Sequence, residues 1–320
     1  MNAAPNKPAS SLHGDRHTGT TRKRTGMQRL RDTTLTLGMK AMDWVSVALR
    51  SLPQRIRYIP ADLITIPLGY VWWSRLPVIR QNYATALRTS PGDPRVRSLA
   101  RQSIRNYGRM AIDFLVARTS NVEELARNFE GHGVEYYQDA IRGGHGVIFV
   151  LPHLGSWDVA AILAQLYQCR LTIVTESDWG TQLVAGSRED QGVTLVPRDR
   201  SIRALFRALS RNEAVVLLSD LANVGVQTIE VPFFGKPSPF PDGPARLSVR
   251  TGAPIMVISC VRRTDFSYLM EGQAPLRADP VLSEEESVRR LTAEIAEGFA
   301  RVIAAYPEHW YAYRPVWPER

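Results

Sequence analysis

The stretch Gly146-Val147-Ile148-Phe149-Val150-Leu151-Pro152-His153-Leu154-Gly155-Ser156-Trp157-Asp158 decides how this chain is built. Residues 146–151 form an apolar run that reads as a strand buried on both faces. Pro152 and Gly155 break the run, and the apolar segment 159–167 then reads as a helix. A strand that opens into a helix through a tight turn is the unit of an α/β fold. Open sheets place their chemistry at such carboxyl ends of strands. His153 sits on this turn, and Asp158 follows five residues later in the first turn of the helix. Histidine is the commonest general base, and a nearby carboxylate can fix its tautomer and stabilise the imidazolium. An isolated H-x4-D pair can equally be a structural histidine beside a helix-start aspartate. The rest of the chain weighs between these readings.

Beyond this stretch, apolar runs at 171–175, 194–197, 215–219, 230–234 and 254–261 predict further strands. A helix is predicted over 201–210, with Ser201 as N-cap, and another over 283–306, with Glu284, Glu285 and Glu286 complementing its dipole. Upstream, 94–116 carries apolar residues at helical spacing. Residues 122–129 read as a short helix, and 131–136 as a strand or its approach. This alternation predicts an α/β fold with a central, mostly parallel sheet flanked by helices. No internal repeat is visible. At 320 residues and 44% hydrophobic, the chain can bury a large core. Its two cysteines, Cys169 and Cys260, lie in or beside apolar segments and read as buried thiols.

The net charge of +9 is concentrated at one end. Residues 1–110 hold 19 Lys and Arg against 5 Asp and Glu, whereas 111–320 hold 21 against 26. A basic segment of this kind points to a polyanionic surface, either nucleic acid or an anionic membrane. Residues 1–26 have almost nothing apolar to bury and no apolar run of a secretory signal, so they read as a solvated basic tail. Residues 27–76 carry amphipathic runs with Trp44, Trp72 and Trp73, flanked by Arg50, Arg55, Arg57, Arg75 and Arg80. Neither run has the ~18–20 uninterrupted apolar residues of a spanning helix. They fit an interfacial anchor or, alternatively, ordinary core helices. The expected organisation is a tail over 1–26, membrane-associating helices over 27–120 and an α/β core over 121–320, with 27–320 packing as one compact domain.

A second cluster runs from Val226 through Glu230-Val231-Pro232-Phe233-Phe234-Gly235-Lys236 to Asp242-Gly243-Pro244-Ala245-Arg246. The aromatics and Gly235 end a strand, a proline-rich turn is expected next, and Pro244 starts a helix. Backbone N–H groups at such a start can hold an anion or an oxyanion. The chain has neither a G-x-S-x-G elbow nor a clustered Cys/His spacing.

Together with Arg105-Asn106-Tyr107-Gly108-Arg109, Val174-Thr175-Glu176, Arg188, Asp220 and the tail Trp310-Tyr311-Ala312-Tyr313-Arg314, these segments resemble the lysophospholipid acyltransferase superfamily. Within it they resemble the branch of bacterial lipid A late acyltransferases and phosphatidylinositol mannoside acyltransferases. The resemblance implies a glycerolipid acyltransferase-like fold. It also implies transfer of an acyl group from acyl-CoA or acyl carrier protein to a hydroxyl of a membrane glycolipid, with no cofactor and no metal. It makes His153 the general base, with Asp158 in the same motif, Glu230 its partner from the F-F-G strand and Glu176 a further carboxylate. Which of the three touches His153 stays open at this point. The Ser219-Asp220-Leu221-Ala222-Asn223 segment lacks the second acidic residue common in relatives, so no role carries over to Asp220. Arg188 and Arg246 are candidates for phosphate contact, Lys236 is a weaker one, and Phe234, Gly235 and Gly243 are the other substrate-binding candidates. The expected setting is a monomer on the cytoplasmic face of a bacterial plasma membrane, partnered by lipid and acyl donor and not by nucleic acid. The competing expectation is a basic nucleic-acid- or lipid-binding protein without catalysis.

Overall fold

The computed structural model describes residues 26–175, 193–222 and 225–317. The strands in chain order are β1 (Phe129–His132), β2 (Val147–Leu151), β3 (Leu171–Thr175), β4 (Val193–Pro197), β5 (Ala214–Leu218), β6 (Thr228–Phe233), β7 (Lys236–Pro241), β8 (Ile255–Arg262) and β9 (Tyr268–Gly272). Seven of them form one sheet in the order β1-β9-β8-β2-β5-β3-β4. Only the β8–β9 pair is antiparallel; the other pairs are parallel. The fold is therefore the expected α/β architecture. The helices are α1 (Gly26–Ser51), α2 (Gln54–Arg57), α3 (Ile59–Val71), α4 (Leu76–Ala86), α5 (Pro94–Ala117), α6 (Val122–Ala126), α7 (Val134–Arg142), α8 (Trp157–Leu163), α9 (Ser201–Ser210), α10 (Gly243–Thr251) and α11 (Glu284–Ala305). Two compact units divide the chain. In the first, Met1–Leu37, the described residues are helical and begin α1. The second, Gly38–Arg320, carries the sheet and the remaining helices.

All five residues of β2 are buried. Ile148 and Val150 pack into a cluster with Ile79, Val96, Leu247, Leu291 and Phe299, while Val147, Phe149 and Leu151 pack with Ala161, Leu171 and Ile173 on the other face. Side chains alternate across a strand, so β2 needs apolar residues at every position because both faces are covered. Its helix starts at Trp157 and closes in a 3-10 turn over Ala164–Tyr167. Over 131–136 the strand expectation holds only to His132; Gly133 takes φ +79° and α7 begins at Val134.

The segment 230–234 does not join the main sheet. β6 pairs with β7 in a separate antiparallel hairpin, so the expected proline-rich turn is itself a strand. Pro232, Pro237, Pro239 and Pro241 lack N–H donors and cannot sit in the interior of a sheet. The hairpin closes on Phe234 and Gly235, at φ +50° and +80°. Two successive left-handed residues are the geometry of a type I′ two-residue loop.

Helix α3 is inverted relative to an ordinary surface helix. Its small residues Ala61, Thr65 and Gly69 are buried, while Leu63, Ile64, Ile66, Tyr70 and Val71 are exposed. The close approach to α5 demands the small side: a Cβ on Gly108 would lie 2.4 Å from the Thr65 methyl. Asp62 locks the pair through Arg105 (2.7 Å) and Arg109 (2.6 Å). Trp44 on α1 and Trp73 just past α3 are also exposed, Trp73 by 85%. Among the described residues no helix is long and apolar enough to cross a membrane.

A buried polar hub joins this helical layer to the sheet. Asp113 on α5 accepts from Tyr58 Oη at 2.5 Å, from Ser156 Oγ at 3.1 Å and from Arg262 Nε at 3.0 Å. The Arg262 guanidinium also lies over the Tyr58 ring. Burial, and next the Asp113 charge, push the Tyr58 phenol far above its ordinary range, so it stays a donor.

Candidate active site

β2 and β5 run side by side with Leu151 opposite Leu218, and Ser219 N–H extends the ladder to Leu151 O at 3.1 Å. The next residue on the β5 side is Asp220, and the turn after β2 carries His153. His153 Nδ1 lies 2.5 Å from Asp220 Oδ1. The Asp220 side chain is wholly buried and that of His153 is 30% exposed. The second Asp220 oxygen accepts from Trp310 Nε1 at 3.1 Å, and Trp310 is fully buried. An ionised carboxylate only accepts, so this network assigns the proton to Nδ1 and leaves the Nε2 lone pair as the basic position.

The turn itself is held by backbone bonds from distant segments. Gly155 N donates to His309 O (3.0 Å), Tyr311 N to His153 O (2.7 Å) and Ser156 N to Cys260 O (2.7 Å). Gly155 has φ +71°, and a Cβ there would sit 2.0 Å from the Cys260 carbonyl oxygen, so only glycine fits. The strap over residues 309–313 is anchored in turn. Trp310 O accepts from Tyr83 Oη (2.9 Å) and Ser103 Oγ (2.8 Å), and Ala312 O from Asn82 Nδ2 (2.8 Å). Burial, and then the Arg262 charge, lower His309 to about 4, so it is neutral near pH 7.

His153 opens onto a cavity of about 1080 Å³. Phe149, Leu171, Val216, Met256 and Ala161 form part of its apolar wall; Arg198, Asp242, Gly243, Arg246 and Arg250 also line it. Cys169 lies in the wall too, and burial pushes its thiol up to about 11, which keeps it protonated. Such a site combines a base at the end of a strand with room for a long apolar group.

Of the residues expected at the site, His153, Asp158, Gly243 and Arg246 line this cavity. Asp158 is buried in the first turn of α8, but the carboxylate on His153 Nδ1 belongs to Asp220. The expected Glu230–His153 pair is thus corrected. Along β6, Val231 and Phe233 turn inward and Glu230 is exposed, opposite Pro239 of a hairpin outside the main sheet. Phe234 and Gly235 form the hairpin loop rather than cavity wall, and Phe234 packs against Trp310 and Trp317. Arg246 is engaged by Asp242 (2.7 Å) and Glu285 (3.1 Å), which meets much of its charge. Lys236 is exposed on β7. Glu176 and Arg188 lie outside the described residues. Sequence reasoning missed Asp220 as the partner and Trp310 as the donor behind it. The available signal was the position of Asp220, just past the end of a strand predicted over 215–219.

The chain is 32% identical over 255 residues to a phosphatidylinositol mannoside acyltransferase of Mycobacterium tuberculosis strain H37Rv, covering 75% of this chain and 76% of that protein. It is 28% identical over 250 residues to the enzyme of that name from Mycolicibacterium smegmatis, covering 75% and 78%. Residues 28–318 match the family described as bacterial lipid A biosynthesis acyltransferase, and with that span the chain is an acyltransferase belonging to this family.

Proposed function

We propose that the protein moves a fatty acyl group from an acyl thioester to a hydroxyl of a glycolipid at a membrane surface, with His153 as general base. The observation that carries this reading is the 2.5 Å His153–Asp220 pair at the wall of a large cavity with an apolar side. His153 Nε2 takes the proton of the acceptor hydroxyl as its oxygen attacks the thioester carbonyl carbon. The C–S bond then breaks, and the sulfur leaves with the proton that the imidazolium returns. Asp220 stabilises the transient positive charge. This route needs no protein nucleophile.

The names of the mycobacterial relatives support a phosphatidylinositol mannoside as the acceptor class. The family as a whole supports a glycolipid more broadly. The inverted face of α3, with Trp44 and Trp73, supports peripheral attachment to a bilayer. Its exposed Leu63, Ile64 and Val71 fit hydrocarbon and would be wasted on a phosphate groove, which argues against the nucleic-acid reading. Acyl-CoA and acyl carrier protein both fit as donors, and the cytoplasmic face is where either is found.

The direct experiment is mass spectrometry of lipids from a strain lacking the gene, followed by complementation with wild-type protein and with His153→Ala. The expected result is loss of one acylated glycolipid species, restored by the wild type only. An unchanged lipid profile, or restoration by His153→Ala, would sink the proposal.

A further inference from the structure

An unbroken run of aromatic rings leads away from the base. The His153 ring meets Trp157 edge-on at 6.0 Å between centroids, Trp157 meets Tyr311 at 5.9 Å, and Tyr311 meets Tyr107 at 5.2 Å. Tyr311 is the buried member, fixed by its N–H to His153 O at 2.7 Å. Its two neighbours are not covered. Tyr107 is 44% exposed, Trp157 is half-buried against the Phe149 cluster, and both line the cavity with His153. Aromatic rings at the mouth of a site, with a few placed polar atoms, are how pockets hold a ligand.

Each of the two rings brings such an atom. Trp157 Nε1 makes no hydrogen bond among the described residues and is not among their buried unpartnered atoms, so it is accessible. Tyr107 Oη makes none either, on a side chain open to solvent. The indole N–H only donates, whereas the phenol both donates and accepts. Rings combined with unpaired polar atoms match the two-sided chemistry of a pyranose, which has a face of C–H bonds and a rim of hydroxyls. The C–H hydrogens carry partial positive charge and meet the negative face of an aromatic ring. The rim hydroxyls pair with the N–H and O–H groups.

The rings also stand on the side from which a membrane lipid arrives. α5 holds α3 on one side, through Gly108 against Thr65 and through Arg105 and Arg109 on Asp62. Tyr107, Ala111 and Phe114, spaced as neighbours on one helix face, turn another side of α5 to the cavity. α5 therefore separates α3, with its exposed apolar face, from the cavity that His153 opens onto. We propose that Tyr107 and Trp157 form a sugar-binding platform for the acceptor. One pyranose ring of the glycolipid lays its C–H face on Tyr107, and Trp157 Nε1 donates to a ring hydroxyl, so that a neighbouring hydroxyl meets His153 Nε2. This rests on the acyl-transfer reading with His153 as base. The apolar wall of Phe149, Val216 and Met256 is left to the acyl chain.

The test uses full-length protein in detergent micelles. Saturation-transfer NMR is run with methyl α-D-mannopyranoside as the probe and glycerol as a polyol without a ring face. The wild type and His153→Ala are both expected to transfer saturation to the ring C–H protons of the mannoside and not to glycerol. Tyr107→Ala is expected to lose most of that transfer and Tyr107→Phe to keep most of it, with circular dichroism confirming each fold. No transfer in the wild type overturns the inference, and so does equal transfer in Tyr107→Ala. Kinetics then use a short-chain phosphatidylinositol mannoside as acceptor. The donor is palmitoyl-coenzyme A or palmitoyl-acyl carrier protein, whichever the wild type consumes faster. Tyr107→Ala is expected to raise KM for the acceptor by roughly 3- to 10-fold, with kcat and the donor KM within about twofold, the mark of lost binding rather than lost chemistry. An unchanged acceptor KM, or a rise confined to the donor KM, overturns the inference. His153→Ala separates the two readings. If it binds the mannoside and turns over normally, the base assignment fails. If it is inactive while Tyr107→Ala binds and turns over like the wild type, only the platform fails.

Discussion

Replacing Asp220 by asparagine exchanges one carboxylate oxygen for an NH2 group and leaves the shape almost intact. The surroundings dictate how the amide turns. Trp310 Nε1 is a donor and must face the amide oxygen, so the NH2 group faces His153 Nδ1. Nδ1 then accepts, and the ring proton moves to Nε2, the nitrogen that should act as base. The variant also loses the buried negative charge that stabilises the imidazolium. A hydrogen bond between charged groups contributes roughly 1.5–3 kcal/mol, and breaking the amide contact to restore the working tautomer costs about 0.5–1.5 kcal/mol. Together these effects come to about 2–4.5 kcal/mol in the transition state, a fall in kcat of roughly 30- to 2000-fold at ~1.36 kcal/mol per tenfold. The assay is steady-state acyl transfer, with circular dichroism to confirm the fold. Glu230→Gln, measured alongside, is expected to keep wild-type turnover because Glu230 is exposed on the outer hairpin. Near-normal kcat in a folded Asp220→Asn, with the loss appearing in Glu230→Gln instead, would refute the assigned partner.

His153→Ala is expected to cost about 10²–10⁴ in rate with little change in Tm, since its side chain is 30% exposed; a folded variant with normal turnover would contradict the base assignment. Asp113→Ala strands the buried Arg262 charge, so a loss of about 3–5 kcal/mol and a Tm lower by ~10 °C are expected by calorimetry; a shift under ~2 °C would show that the hub carries no stability. The double change Leu63→Asp with Ile64→Asp removes two exposed apolar side chains from α3 and is expected to weaken vesicle binding about 10²-fold at ~1.5 kcal/mol per residue, while cosedimentation equal to wild type would exclude this face as the anchor. His309 has its folded pKa lowered to about 4, below an unfolded value near 6.5. Between those values the unfolded chain binds the extra proton, so this contribution is complete above pH ~6.5 and is lost as pH falls toward 4. Tm should therefore drop over that window, and His309→Gln should flatten the slope; an equal slope in the variant would assign the effect elsewhere.

The β2–turn–α8 unit was legible because burial on both faces forces an unbroken apolar run, and Pro152 and Gly155 mark where it ends. The partner of His153 was not legible, because it depends on which strand lies beside β2. That strand is β5, some 60 residues further on, and strand order is written in no local pattern. Along β6, Val231 and Phe233 are the inward pair and Glu230, which the resemblance had offered as the partner of His153, faces outward. Pro232, Pro237, Pro239 and Pro241 were the overlooked sign that this hairpin could not enter the sheet. Trp310 was visible only as part of an aromatic tail, since nothing near it in sequence reveals that its indole meets a carboxylate 90 residues earlier.

That long reach has a consequence for the life of the chain. Synthesis runs from the N-terminus, and early segments begin to fold before late ones exist. The apolar face of α3 is made first, whereas residues 309–311, which hold the His153 turn and the Asp220 carboxylate, are added long after it. Under the proposed attachment, a nascent chain can therefore reach the bilayer with its His153 turn unassembled and its Asp220 carboxylate unanchored. The His153–Asp220 arrangement is complete only once residues 309–311 are in place, and on the proposed function a ribosome that stalls or a protease that cuts just past Tyr306 leaves an attached but silent protein.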